Sequence, residues 1–176
     1  MSNIAGCALI LGVIALQIVG GPLYDVYGLR PDFPAIALAT IALTLRPAGT
    51  LAAALLAGVT LDISSAGLPG THMTACLALI VFILRGRKTG WGEDRAGRAL
   101  LLTGGIFIAV LIPHAMSWAL DGRHLNFGFL FAGSAGYSLI FAWPLHRLLR
   151  PTLEWSMPPG QRPYLFLGRS SWQRPA

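Results

Sequence analysis

Six apolar segments, separated by short polar breaks, constrain the fold of this chain more than any other feature of its sequence. The segments cover about residues 4–21, 33–46, 49–63, 71–85, 99–120 and 127–149. A helix of about 20 residues crosses the hydrocarbon core of a bilayer, and the first, fifth and sixth segments are long enough. The other three are shorter and cross only if flanking residues snorkel or the bilayer thins locally. The pattern predicts an all-α integral membrane protein, a compact bundle of about six transmembrane helices, or five if one short segment is re-entrant.

Composition and charge support the same class. Hydrophobic residues make up 55% of the 176 residues and charged residues 11%, whereas about a quarter of a soluble domain is charged. The net charge of +6 does not indicate nucleic-acid binding, because the basic residues lie between apolar segments and not on a face interleaved with exposed aromatics. With six spans and a cytoplasmic N-terminus, all of the 13 Lys and Arg residues except Arg30 and Arg123 fall on the cytoplasmic side. By the positive-inside rule, both termini are predicted to be cytoplasmic.

The chain is predicted to divide at about residue 150. Residues 1–150 form a single transmembrane helical domain in this interpretation. Residues 151–176 form a basic cytoplasmic tail that is rich in proline and aromatic residues. Arginine and aromatic side chains of this kind suit anionic headgroups and the membrane interface.

A single carboxylate, Asp62, stands between two apolar segments. Ala54, Gly58 and Asp62 are four residues apart, so they share one helix face, and small residues on such a face let another helix approach closely. Asp62 then has two interpretations. It is either a polar anchor for a neighbouring helix or partner protein, or a helix-end residue that accepts hydrogen bonds from the turn or caps the fourth helix. Pro69 and Gly70 belong to the turn that follows it.

The sequence contains no catalytic or cofactor-binding pattern. It has no phosphate-binding glycine motif, and Ser64 and Ser65 lack a nearby base. Cys7 and Cys76 lie within apolar segments, as buried small hydrophobic residues do. His72 and Cys76 share a helix face, but a metal site would need further ligands from distant segments. The chain is therefore predicted to be no enzyme and to hold no metal or cofactor.

The segments 30–43 and 57–83 together resemble the rod shape-determining protein family MreD. Members carry an early Arg-Pro turn before a short apolar run, then a helix ending in Gly-x-x-x-Asp, and then a glycine turn with a His or Arg soon after it. The residues at these positions here are Arg30, Pro31, Gly58, Asp62, Gly70 and His72. The chain departs from the family at Ala54, where many members have a second glycine, and at Pro69, where leucine is commoner.

The resemblance implies a location in the bacterial inner (cytoplasmic) membrane and a non-catalytic role in cell elongation. Proteins of this family work with MreC, the actin-like MreB, the glycosyltransferase RodA and a class B penicillin-binding protein, which together direct sidewall peptidoglycan synthesis. On this hypothesis, the residues Ala54, Gly58, Asp62, Gly70 and His72 mediate packing between helices or with a partner, and Arg30, Pro31 and Pro69 shape turns.

The same resemblance supplies an alternative function. The family is similar in fold to the substrate-binding subunits of energy-coupling-factor vitamin transporters, which hold a small molecule between their helices. Pro113 is predicted to bend the fifth segment beside His114, because proline removes a backbone hydrogen bond. The bend is either a kink near the interface or one wall of a small-molecule cavity.

Overall fold

The structure, a computed structural model, describes residues 2–27, 29–65, 68–121 and 127–156. These residues form six α-helices and one short 3-10 turn, Gly21–Tyr24, and no strand occurs among them. The helices are α1 Ser2–Gly20, α2 Phe33–Thr44, α3 Pro47–Ser64, α4 Thr71–Lys88, α5 Arg95–Asp121 and α6 Phe127–Trp155. Each of the six apolar segments lies on one of these helices, which confirms the all-α fold class.

Within the described residues, four helices are long and apolar enough to span a membrane. They are Ile4–Tyr24, Pro47–Ser64, Arg95–Ala119 and Gly128–Trp155. α2 has only 12 residues, and α4 ends in the basic residues Arg85, Arg87 and Lys88. The chain thus has the helices of a multi-pass membrane protein, while the count of six spans and the cytoplasmic position of the termini stay predictions.

The bundle has two distinct ends, because successive helices run in opposite directions. The end that contains residues 21–33, 61–73 and 113–114 is called here the Asp62 end. The end that contains residues 44–47, 85–98 and 146–156 is called the basic end, since most basic residues of the described chain lie there.

α2 is the central helix and packs against all five others. Every residue in 33–42 is buried, as expected of a helix that is apolar on all sides. Its single buried hydroxyl, on Thr40, donates to the Ile36 carbonyl at 2.9 Å and contacts His146 Nδ1 of α6 at 3.1 Å. Because Thr40 uses its proton on Ile36, we assign the proton of the second contact to His146 Nδ1.

Both ends of α2 are capped by charged side chains. Asp32 Oδ1 accepts a hydrogen bond from the Ala35 N–H at 2.9 Å. At the other end, Arg87 Nη1 of α4 donates to the carbonyls of Ala42 at 2.6 Å and Leu45 at 2.9 Å. A negative group at the N-terminus and a positive group at the C-terminus complement the helix dipole, so a short helix is stabilised inside the bundle.

α6 continues beyond the domain boundary that the sequence predicts at residue 150. It reaches Trp155, with Leu153 and Glu154 buried. Arg150 Nε contacts Glu154 Oε1 at 2.6 Å, an i,i+4 ion pair that supports the last turn. The remainder of the predicted tail, residues 157–176, and Arg123 lie outside the described residues.

Candidate functional site

Asp62 holds the start of α4 against the end of α3. Its Oδ2 accepts from the N–H groups of Gly70 at 3.0 Å and Met73 at 3.2 Å. Its Oδ1 accepts from the N–H of His72 at 2.9 Å. α4 has no capping side chain of its own, because Gly70 is its N-cap residue. Asp62 supplies the missing acceptor from the preceding helix and satisfies three of the free amides that every helix N-terminus exposes.

Gly70 has the backbone geometry that the turn requires. Its φ angle is +86°, in the left-handed region that glycine enters without steric penalty. This conformation turns its N–H towards Asp62. Pro69, just before it, is exposed.

Gly58 allows α3 and α4 to approach each other closely. A Cβ atom at this position would lie 2.5 Å from the Cα atom of Met73 and 3.0 Å from its Cβ atom. Ala54, one helical turn earlier, is fully buried. The face that the sequence assigns to helix packing therefore contacts a helix of the same chain at Gly58.

Residues 30–33 tie the start of α2 to two other helices. The Asp32 N–H donates to Ser138 Oγ of α6 at 2.9 Å, and the Phe33 N–H donates to Gln17 Oε1 of α1 at 3.3 Å. Pro31 is buried, while Arg30 forms an exposed ion pair with Asp25 at 2.7 Å. The Arg-Pro turn thus leads into a cross-linked junction of α1, α2 and α6.

A cavity of about 490 Å³ opens at the Asp62 end, bounded by residues from α1, α3, α4, α5, α6 and the segment that enters α2. Its polar lining residues are Gln17, Arg30, Asp32, Ser64, Ser65, His72, His114 and Ser134. Three residues that the sequence predicts as functional line it, namely Arg30, Pro31 and His72. The other five, Ala54, Gly58, Asp62, Pro69 and Gly70, are not among its lining residues.

Pro113 and His114 form part of one wall of this cavity. Pro113 cannot donate to the Ala109 carbonyl four residues earlier, and Ala109 also lines the cavity. His114 Nδ1 donates to the Val110 carbonyl at 2.8 Å, so Nε2 is an acceptor in the neutral imidazole. Both residues line this cavity, whereas the bend itself stays a prediction.

Asp32 is the only carboxylate among the described residues that line the cavity. Burial raises the pKa of the Asp32 carboxyl above its usual value, while the hydrogen bond from Ala35 and the nearby His72 and His114 lower it. The cavity therefore combines one carboxyl group, two imidazoles and one guanidinium with hydroxyl and amide groups. Such a set can bind a small polar molecule by hydrogen bonds. Among the residues that the structure describes, no three His, Cys, Asp or Glu side chains group together as a metal site would.

Sequence reasoning missed Gln17, Asp32 and Ser134 as members of this site. Gln17 is the one amide in the apolar segment 4–21, and Asp32 directly precedes a Phe-Pro helix start. Both residues could have been singled out from the sequence. The position of Ser134 opposite them depends on how α6 packs, and no local pattern gives it.

Comparison of the chain with models of known protein families, with curated proteins and with solved structures finds no match.

Proposed function

We propose that this protein is a non-catalytic inner-membrane component of the bacterial cell-elongation machinery, of the MreD kind. It helps to maintain cell shape and to direct sidewall peptidoglycan synthesis through helix–helix contacts with partner membrane proteins. MreC, MreB, RodA and a class B penicillin-binding protein are the partners that the resemblance implies.

The observation that carries this proposal is the α3–α4 hairpin. Gly58, Asp62 and Gly70, three positions of the motif by which the chain resembles MreD, act together in it. Gly58 sets the distance between the helices, and Asp62 with Gly70 sets the turn. The motif therefore specifies one rigid unit, and a rigid unit is what a scaffold presents to its partners.

Affinity purification from native membranes tests the proposal. MreC and cell-wall synthases are expected to co-purify with the tagged protein and not with an unrelated tagged multi-pass protein. Depletion in the native organism is expected to make elongated cells lose their shape. Glu93→Gln, which alters an exposed carboxylate away from the hairpin, should restore the shape, whereas Asp62→Ala should not. Recovery of an ATPase pair with a coupling subunit, in place of the elongation proteins, would reject the proposal.

The cavity at the Asp62 end favours a second candidate, a substrate-binding subunit of a vitamin-type transporter. Its volume of about 490 Å³ lies in the range of small-molecule sites, and a few polar groups converge on it.

A thermal-shift screen with water-soluble vitamins tests this second candidate. A ligand at 100 times its Kd stabilises a protein by about 2.7 kcal/mol, or several degrees in Tm for a chain of this size. His72→Leu, inside the cavity, should abolish the shift. Thr103→Leu, at an exposed position of α5 outside the cavity, should retain it. If no vitamin stabilises the wild type, the candidate is rejected.

A further inference from the structure

A second cavity, of about 280 Å³, lies at the basic end of the bundle between the first turns of α5 and the last turns of α6. It shares no lining residue with the cavity at the Asp62 end. Its lining residues are Arg95, Arg98, Trp143, His146, Arg147 and Arg150.

The described residues compensate little of the positive charge of this cavity. Four guanidinium groups line it, and arginine stays protonated at any pH at which the protein is folded. Among the described residues, Glu154 is the carboxylate that forms an ion pair with one of them, Arg150, at 2.6 Å. Asp94, at the start of α5, accepts instead from the N–H of Gly97 at 2.9 Å. Like charges gathered around one small space repel each other, and an anion inside it relieves that repulsion.

Several lining groups are held in place by neighbours. The guanidinium of Arg95 lies over the ring of Trp143, 5.6 Å from its centroid, in cation–π geometry. His146 is anchored to Thr40 of the central helix at 3.1 Å. Arg150 is fixed by its contact with Glu154. Groups that are already positioned lose less conformational freedom when a ligand binds, so the cavity is partly preorganised.

The donor set identifies the class of ligand. Planar guanidinium forks match the oxygens of a phosphate group and bind it through paired, charge-assisted hydrogen bonds. The cavity also lies where helix ends meet the predicted cytoplasmic surface, the depth at which basic pockets between transmembrane helices take anionic headgroups. We propose that this cavity is a phosphate-binding site, filled by the headgroup of an anionic phospholipid or by a soluble phosphate. The inference does not depend on the proposed function.

Native mass spectrometry of the full chain in detergent tests the lipid source. The wild type should retain phosphatidylglycerol in preference to phosphatidylcholine. Arg98→Gln/Arg147→Gln should reduce this retention about a hundredfold, because two charge-assisted hydrogen bonds are lost and each contributes on the order of one factor of ten. The control, Arg85→Gln/Lys88→Gln, removes the same charge from exposed positions at the same end, outside the cavity, and should retain the lipid.

Thermal shift with inorganic phosphate tests the soluble source on the same three proteins. If phosphate raises the Tm of the wild type and of the control but not that of the cavity variant, the site binds phosphate. If, in addition, the three proteins retain lipid equally, its ligand is a soluble phosphate. The proposal is supported if the cavity variant loses lipid retention or phosphate stabilisation while the control keeps it. If neither probe binds the wild type, or if both double variants lose binding equally, the proposal is wrong. Arg147→Gln alone, at an exposed position of α6, replaces the double variant if the latter fails to fold.

Discussion

Replacing Gly58 with alanine is expected to lower the Tm of the protein in detergent by about 5 to 10 °C. The added Cβ atom would lie 2.5 Å from the Met73 Cα atom, which is far inside van der Waals contact. The obstacle is backbone, so no side-chain rotation relieves it and α3 must move away from α4. Overpacking of this kind costs about 1–3 kcal/mol and sometimes more, and each kcal/mol corresponds to about 2–4 °C in a chain of this size.

A matched control is available within α1. Gly12 is also a helical glycine in an apolar segment, but a Cβ atom there would meet nothing within 4 Å. Gly12→Ala should leave Tm unchanged or raise it, because alanine favours helix by about 1 kcal/mol over glycine. Thermal unfolding followed by tryptophan fluorescence compares the two variants directly. Equal Tm values for Gly58→Ala and Gly12→Ala would mean that α3 and α4 do not approach as closely as described.

Replacing Asp62 with alanine is expected to destabilise the protein by about 2–4 kcal/mol. Three backbone amides lose their acceptor at once, and hydrogen bonds to a charged group contribute about 1.5–3 kcal/mol each. The total is smaller than their sum, because Asp62 is only partly buried and water can replace part of what is lost. Asp62→Asn should be intermediate, since its amide offers one acceptor oxygen in place of two.

Amide hydrogen exchange distinguishes a local cap from a general loss of stability. In Asp62→Ala, exchange should rise first at Gly70, His72 and Met73, whose N–H groups the carboxylate accepts. Glu93→Gln serves as the control, since Glu93 is an exposed carboxylate outside this turn. If Asp62→Ala unfolds at the wild-type temperature with unchanged exchange at these amides, the carboxylate does not cap α4.

Much of the architecture could be predicted from hydropathy, because apolar segments with firm breaks leave a chain few alternatives in a membrane. The spacing of Gly58 and Asp62 also indicated a close helix contact, and capping of the fourth helix was one of the two interpretations of Asp62. Both rest on local pattern. The two cavities do not, since each joins side chains that lie far apart along the chain, such as Gln17 with Ser134. The helical continuation to Trp155 was not predicted, because the residues after 150 are rich in proline, whereas the Arg150–Glu154 pair and the burial of Leu153 support the turn.

The central position of α2 bears on how the protein is made. A helix of 12 residues is about 18 Å long, too short to cross the bilayer unaided, and it emerges from the ribosome early. Two of its polar groups, the Asp32 amide and the Thr40 hydroxyl, find Ser138 and His146 only on the last helix to be synthesised. Until α6 is synthesised, these two groups lack the partners that they have in the folded chain, so the buried core around α2 is completed late.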